Sequence, residues 1–273
     1  RRDGFAWSIL WLVESPRALW TVHVIGLAVI AMYTLGLFTR VTSVLAFVFA
    51  IRYANRGLGA MLRLDQINCL LVMYLMIGPA GAAYSLDRYL AARRSSKPLP
   101  VEPYVGANVS MRLIQLHMCV IYFFAGALKL LGPAWWNGEA MWMAFGNLEY
   151  QSLDMTWMVH WQRTVNFLTH LTIAWELSYC ALVWPRLTRP IVIALAVPLH
   201  MGIAVCLGMI TFGTIMIVAN MAFISPWLVR AVSEGRKPPE RRSAGSGGTP
   251  ADAEPRNRAR KKKRRNSGEP ASR

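Results

Sequence analysis

The sequence contains only four cysteines, and each stands alone in an apolar stretch: Cys69, Cys119, Cys180 and Cys206. No CxxC pair and no cluster of cysteine with histidine is present, so the sequence predicts neither a metal site nor a dithiol redox pair. Isolated cysteines in apolar segments are typical small packing residues. The Walker, HExxH, GxSxG and dinucleotide fingerprints are also missing, which leaves no motif evidence for those nucleotide, metalloprotease or hydrolase sites.

Acidic residues are scarce, with 14 Asp and Glu against 30 Lys and Arg, and the formal net charge is +16. A charge of that size spread over a soluble fold would suggest nucleic acid as a partner. Residues 236–273, however, hold 13 of the basic residues and 4 of the acidic ones, with almost no apolar residues. We therefore predict a disordered basic tail at 236–273 that contacts anionic lipid headgroups, and no specific nucleic acid partner.

The remaining chain is strongly apolar, because hydrophobic residues make up 55% of the sequence and the mean hydropathy is +0.32. Continuous apolar runs without alternation favour helices over a membrane barrel. The predicted fold is therefore all-α, a polytopic transmembrane helix bundle over residues 19–235, preceded by an interfacial segment at 1–18. We predict seven spans, at about 19–37, 41–54, 64–84, 110–131, 164–184, 190–208 and 211–229.

Basic residues in short loops predict the orientation in a bacterial inner membrane. With the tail placed in the cytoplasm, Arg186 and Arg189 lie inside, as does the basic loop near Arg93, in agreement with the positive-inside bias. Arg52 and Arg56 fall outside, which disagrees with this bias, but the basic tail and the basic loop near Arg93 outweigh them. The Trp-rich segment 132–163 then lies outside, where we expect short interfacial helices such as Glu139–Phe145, and we expect one further helix before Arg1.

Lys129 is the most informative single residue, because it ends the apolar run that begins at Tyr122. A charged side chain at the centre of a bilayer helix costs about 2.5 kcal/mol or more. Lys129 therefore either lifts its amine to the headgroups or is held in low dielectric with a depressed pKa, where the neutral amine can act as a base.

Two other polar residues fall within apolar spans. Glu176 lies in the middle of a span and must be protonated, paired or exposed to water; it is either functional or a structural hydrogen-bonded carboxyl. His200 follows Pro198 in another span, and it is either a satisfied core histidine or a group that moves a proton near neutral pH. Tyr122 lies seven residues before Lys129 and close to the same helical stripe, so its hydroxyl could form a hydrogen bond within that groove.

The lysine segment resembles that of the vitamin K-dependent gamma-glutamyl carboxylase and its bacterial relatives, the horizontally transferred transmembrane (HTTM) domain family. The resemblance rests on Tyr-Phe-x-Ala-Gly-x-x-Lys-Leu at 122–130 and the Trp-containing turn that follows it. Weaker similarities are spread over about residues 20–230, at Asn55-Arg56, Asp65-Gln66, Ser85-Leu86-Asp87 and Leu199-His200. The animal carboxylase has a histidine in an Asn-Asn-His segment at the start of the span that precedes its Ser-x-Asp motif. At the corresponding place this chain has Leu64-Asp65.

The resemblance implies an enzyme in which a neutral lysine deprotonates a reduced naphthoquinone, whose oxygenated product removes a glutamyl proton before carbon dioxide adds. It gives Lys129 as the base, with Asp65, Glu176 and His200 as supporting residues. It also implies cofactor contacts from Tyr122, Trp135 and Trp136, and a secreted or periplasmic peptide as substrate. The alternative is a non-enzymatic scaffold that binds quinone or lipid, similar to DoxX-like proteins. A Lys129 that faces lipid favours the scaffold, and one that faces an apolar cavity favours the enzyme.

Overall fold

The structure is a computed structural model that describes residues 15–55, 63–95, 104–149, 151–225 and 228–229, with only the backbone described at residues 63 and 64. Within these ranges every regular element is helical. The chain divides into one unit up to Ser225 and a second from Pro226 to Arg273. In the second unit, only residues 228 and 229 are described, and both are helical. The predicted basic tail at 236–273 and residues 1–14 of the predicted interfacial segment at 1–18 therefore lie outside the described residues, whereas residues 16–18 belong to a helix that begins at Pro16.

The described part of the first unit consists mainly of α-helices. In chain order they are α1 (Pro16–Leu35), α2 (Thr39–Ala54), α3 (Arg63–Ile77), α4 (Leu86–Arg94), α5 (Val105–Lys129), α6 (Pro133–Trp136), α7 (Ala140–Phe145), α8 (Gln162–Leu182), α9 (Arg189–Cys206) and α10 (Ile210–Asn220). Two 3₁₀ helices, Thr156–Trp161 and Met221–Phe223, precede α8 and follow α10. The predicted all-α bundle is confirmed, and the predicted short helix in the Trp-rich segment corresponds to α7.

Helix ends follow from local chemistry. α1 begins at Pro16, whose fixed φ suits the first helical position, and it is closed by Gly36 at φ 72°, a left-handed conformation that glycine adopts without strain. α3 ends at Ile77, earlier than the predicted span 64–84, because Gly78 and Pro79 follow and the residue before a proline disfavours helical backbone. α10 likewise gives way to a 3₁₀ turn ahead of Pro226, so the predicted span 211–229 is interrupted.

Three helices among the described residues are long and apolar enough to cross a membrane: α1, α5 and α9. α8 has 21 residues but a lower hydropathy, and α2, α3 and α10 have 16, 15 and 11 residues. A span that runs upright needs about 20 residues. The seven predicted spans and their orientation therefore stay predictions.

Large apolar side chains cover much of the surface of these helices. On α1, Trp20, Val24 and Leu27 are all more than half exposed, and similar rows run along α5 and α9. A soluble monomer rarely shows contiguous apolar surface of this extent, whereas a bilayer solvates it. The chain is accordingly an integral membrane helix bundle.

The core lies where α5, α8, α9 and α10 meet. Its most buried members include Met118 and Tyr122 from α5, Tyr179 from α8, Ala196 from α9 and Met216 from α10. Close approach of α5 to α8 depends on Gly126, because a Cβ there would lie 3.0 Å from the side chain of Leu177 and 3.2 Å from that of Glu176. Small residues at helix contacts allow such backbone approach in membranes. This contact brings the end of α5 next to the middle of α8.

Asp87 in the first turn of α4 caps a different helix, α2. Its carboxylate accepts hydrogen bonds from the backbone N–H groups of Phe38 at 2.9 Å and Thr39 at 3.0 Å, while its own N–H donates to Gly36 O. These bonds satisfy two amides at the start of α2 that the helix leaves unpaired. They also lower the pKa of the Asp87 carboxyl, with the Thr39 amide as the largest cause.

Asp87→Ala should lower the free energy of unfolding by about 1 kcal/mol, the usual cost of losing a cap. Since the folded pKa of Asp87 lies below the unfolded value of about 3.9, its stabilisation is present above that pH and lost as pH falls through the folded value. The melting temperatures of wild type and Asp87→Ala in detergent should therefore converge below about pH 4. Asp154→Ala is the control, because the Asp154 carboxylate accepts hydrogen bonds from Thr156 and Gln151 in its own turn rather than from another helix. A constant difference between wild type and Asp87→Ala from pH 7 to pH 3 would contradict the capping role.

Candidate functional site

Lys129 is the last residue of α5, and its side chain turns toward α8. The carboxyl end of a helix carries partial negative charge, which favours a cation at this position. Gly126, one turn earlier, permits the close contact with α8 that brings the Lys129 amine to Glu176. The lysine side chain is 21% exposed and that of Glu176 is 8% exposed. The amine is therefore largely withdrawn from solvent and lipid.

Lys129 and Glu176 form an ion pair. Nζ donates a hydrogen bond to Glu176 Oε1 at 2.8 Å and lies 2.7 Å from Oε2, a contact without hydrogen-bond geometry. Oε2 is shielded from solvent and has no hydrogen-bond partner in the part of the chain that the structure describes. Of the three states that the sequence allowed for Glu176, the structure gives the paired one. Both carboxylate oxygens thus lie against the Lys129 ammonium.

The two tryptophans of the turn after α5, Trp135 and Trp136, differ in their position relative to this site. Nζ of Lys129 lies 5.1 Å from the centroid of the Trp135 ring, within the range of a cation–π contact. Trp136 points elsewhere: its side chain is exposed, and its indole N–H donates to Leu130 O at 2.7 Å. Of the two predicted cofactor contacts, Trp135 stands beside the lysine, and Trp136 fixes the turn.

An apolar cavity of about 370 Å³ opens beside the ion pair. It runs between α8 and α9 beneath α7, and Lys129 and Glu176 are the charged members of its lining. The other lining residues are Trp135, Met141, Ala144, Phe145, Leu168, Leu171, Thr172, Trp175, Leu195, Pro198, Leu199, Gly202, Ile203 and Leu207. Its volume falls in the range of about 300–1,000 Å³ typical of small-molecule sites, and an apolar wall with a few polar groups is their usual composition.

Behind one wall of the cavity lies a buried chain of hydrogen bonds. Tyr179 OH donates to Asn220 Oδ1 at 2.7 Å, and Asn220 Nδ2 donates to Tyr122 OH at 2.8 Å. Tyr122 OH lies 2.7 Å from His200 Nε2. All four side chains are at most 2% exposed. The chain of bonds joins α5, α8, α9 and α10 in one polar network.

His200 has a hydrogen-bond partner on one side of its ring. Its Nε2 lies 2.7 Å from Tyr122 OH, which accepts from Asn220. Its Nδ1 is buried without a hydrogen-bond partner among the described residues. The ring sits among Trp175, Tyr122 and Phe212. Of the two readings left open by the sequence, this arrangement is nearer to a core histidine.

Trp175 separates the network from the cavity. Its ring contacts Tyr122 at a centroid distance of 4.8 Å and Tyr179 at 5.3 Å, and its indole N–H donates to Val192 O. The same residue lines the cavity and precedes Glu176. The network therefore packs against Trp175, the residue of the cavity wall that precedes Glu176.

The predicted site residues are thus brought together only in part. Lys129, Glu176 and Trp135 meet at the cavity, whereas Tyr122 and His200 lie in the network behind it and Trp136 lies outside it. Asp65 is in the first turn of α3 and does not line the cavity. Among described residues, no group of three or more histidine, cysteine or acidic side chains could hold a metal ion.

Three residues of the site were not singled out from the sequence: Trp175, Tyr179 and Asn220. Asn220 carried a usable signal, because an amide in the apolar run Ile210–Asn220 needs a partner in a bilayer. Trp175 and Tyr179 carried none, since aromatic residues are ordinary in such helices.

Comparison with protein-family models gives a match to the HTTM domain over residues 66–227. This match covers α3 from its first turn through α10 and includes Lys129, Glu176 and the whole cavity. Neither the comparison with curated proteins nor that with solved structures gives a significant match.

Proposed function

Because the chain belongs to the HTTM domain family, we propose that it is a membrane enzyme whose Lys129–Glu176 pair transfers a proton to and from an apolar hydroxylated substrate. The observation that carries the proposal is the ion pair at the edge of an apolar cavity. Ionisable residues within a membrane bundle are costly and mark functional sites by default. A lysine that faces such a cavity, rather than lipid, favours the enzyme over the scaffold.

The cavity suits a reduced naphthoquinone in size and character. Trp135, Trp175 and Phe145 provide aromatic walls for a flat ring, and the Lys129 amine provides a polar group for a hydroxyl. When bound, a reduced naphthoquinone supplies an acidic phenolic hydroxyl and, after reaction with oxygen, the strong base of carboxylation.

The residues of the chain provide the proton path. The 2.8 Å hydrogen bond lets the Lys129 proton pass to Glu176, which leaves a neutral amine and a protonated carboxyl. The amine can then take the proton of a bound hydroxyl: an N–H bond forms at Nζ as the O–H bond breaks. The face of the Trp135 ring stabilises the resulting ammonium. The predicted peptide substrate stays a prediction.

Lys129→Arg should abolish oxidation of a reduced naphthoquinone by the protein in proteoliposomes. Guanidinium stays protonated under all these conditions and cannot act as a base, although it can keep the pair with Glu176. The measurement is the absorbance change of the naphthoquinol together with mass spectrometry of its oxygenated product. Glu149→Gln serves as the control, because Glu149 is exposed and does not line the cavity. Wild-type activity in Lys129→Arg would reject the lysine as base.

A further inference from the structure

The cavity beside the ion pair opens sideways, between two helices. Leu171 of α8 and Leu195 and Pro198 of α9 line it and are also exposed at the surface of the bundle. Leu171 is nine residues from the start of α8, and Leu195 is six from the start of α9, which places the gap roughly 9–14 Å from those ends. Openings at that depth on an apolar surface face hydrocarbon rather than water.

The cavity is elongated along the same helices. Its lining extends from Leu168 to Glu176 on α8, about 12 Å, and from Leu195 on α9 to Leu207, the residue after this helix, about 18 Å. Gly202 lies within this stretch and has open space where a Cβ would stand. A linear apolar chain fits such a channel, with its polar end at Lys129 and its other end between α8 and α9.

The charges at the polar end decide which head group is accepted. One cation and one anion line the cavity, and they already neutralise each other. A charged head group would enter low dielectric without a free counter-ion, which is strongly unfavourable. Glu176 Oε2 is shielded and lies 2.7 Å from Nζ, whereas the Lys129 ammonium has more N–H groups than its one hydrogen bond uses. The spare N–H groups can donate to the oxygen of an uncharged head group such as a hydroxyl.

From these observations we propose that the cavity binds uncharged single-chain amphiphiles through a hydroxyl head group, excludes anionic ones, and receives them laterally from the bilayer between α8 and α9. The proposal concerns the cavity of the proposed function and extends it by naming the ligand class. It requires no turnover, so binding can be tested separately from catalysis.

The test uses two photoaffinity probes with the same diazirine-bearing alkyl chain, one ending in a primary alcohol and the other in a sulfonate, which is ionised at every pH. Wild-type protein in nanodiscs is irradiated with each, and labelled peptides are quantified by mass spectrometry. The alcohol should label the cavity stretches of α8 and α9 at least tenfold more than the sulfonate. Equal labelling by the two probes would overturn the proposal.

Charge-altered variants sharpen the result. Glu176→Gln leaves Lys129 without its anion, so sulfonate labelling should rise by tenfold or more and the preference should reverse. If Glu176→Gln fails to fold, Gly202→Leu provides the second arm, because a Cβ at this position meets open space and the leucine side chain should occupy the channel and remove alcohol labelling. Met201→Leu is its control, since Met201 is exposed on α9 and does not line the cavity. Alcohol labelling that survives Gly202→Leu would place the probe elsewhere and reject the proposal.

The two proposals fail in different ways. Selective labelling together with no naphthoquinol oxidation would keep the binding site and remove the enzymatic role. Oxidation that depends on Lys129, together with unselective labelling, would keep the enzyme and reject the lateral site for hydroxylated chains.

Discussion

Glu176→Gln should destabilise the protein by about 3 kcal/mol, the lower end of the cost of breaking a buried ion pair. The lower end applies because one-fifth of the Lys129 side chain is exposed, so some solvation compensates the charge left alone. Lys129→Met should cost a similar amount, since it leaves the more deeply buried carboxylate unpaired. The measurement is the melting temperature and the denaturant midpoint in a defined detergent.

The double variant Lys129→Met/Glu176→Gln separates this explanation from a loss of packing. When both charges are removed, neither is left buried, and the double variant should be more stable than either single one. Glu149→Gln is again the matched control and should leave the stability nearly unchanged, because Glu149 is exposed. Additive losses in the double variant would mean that the two side chains contribute independently and that the pair carries no coupling.

Lys129 and Glu176 could each be selected from the sequence, but their pairing could not. A charge in an apolar run is visible without a structure, because its cost is local. Which charge meets which depends on the register of α5 against α8, 47 positions apart in the chain, and on the close approach at Gly126. The sequence therefore leaves three possible states for Glu176, and tertiary packing selects one of them.

Helix existence was predictable, and helix ends only partly so. The length of the apolar runs identified α1, α5, α8 and α9 to within a few residues. The reason is that a helix needs about 20 apolar residues to cross the bilayer. The errors lie where hydropathy continues but the backbone cannot, after Ile77 and after Asn220. Gly78-Pro79, directly after Ile77, is a helix-stop signal in the sequence. The predicted span nevertheless continued past it, because the residues that follow are still apolar.

Tyr122→Phe should lower the free energy of unfolding by about 2 kcal/mol, although it removes one oxygen atom. The hydroxyl accepts from Asn220 and shares a hydrogen bond with His200 Nε2, so its loss leaves unpaired groups on both sides of a region that excludes water. The resemblance implied a cofactor contact at Tyr122, but the ring lies behind Trp175 and does not line the cavity. We therefore expect the binding of the alcohol probe to Tyr122→Phe to stay close to wild type at temperatures where the variant is folded.

Tyr74→Phe is the matched control for this prediction. Tyr74 also pairs with a histidine, but its hydroxyl is 3.3 Å from His117 Nδ1 in a partly buried place, where other partners can replace the bond. Its loss should cost less than about 1 kcal/mol. If the two variants lose equal stability, the bond from Tyr122 to His200 is no more than an ordinary tyrosine–histidine contact. A greater loss in Tyr122→Phe would instead indicate that the four-residue network is a main source of cohesion among α5, α8, α9 and α10. The Tyr122 hydroxyl bonds to His200 and Asn220, and Asn220 in turn bonds to Tyr179.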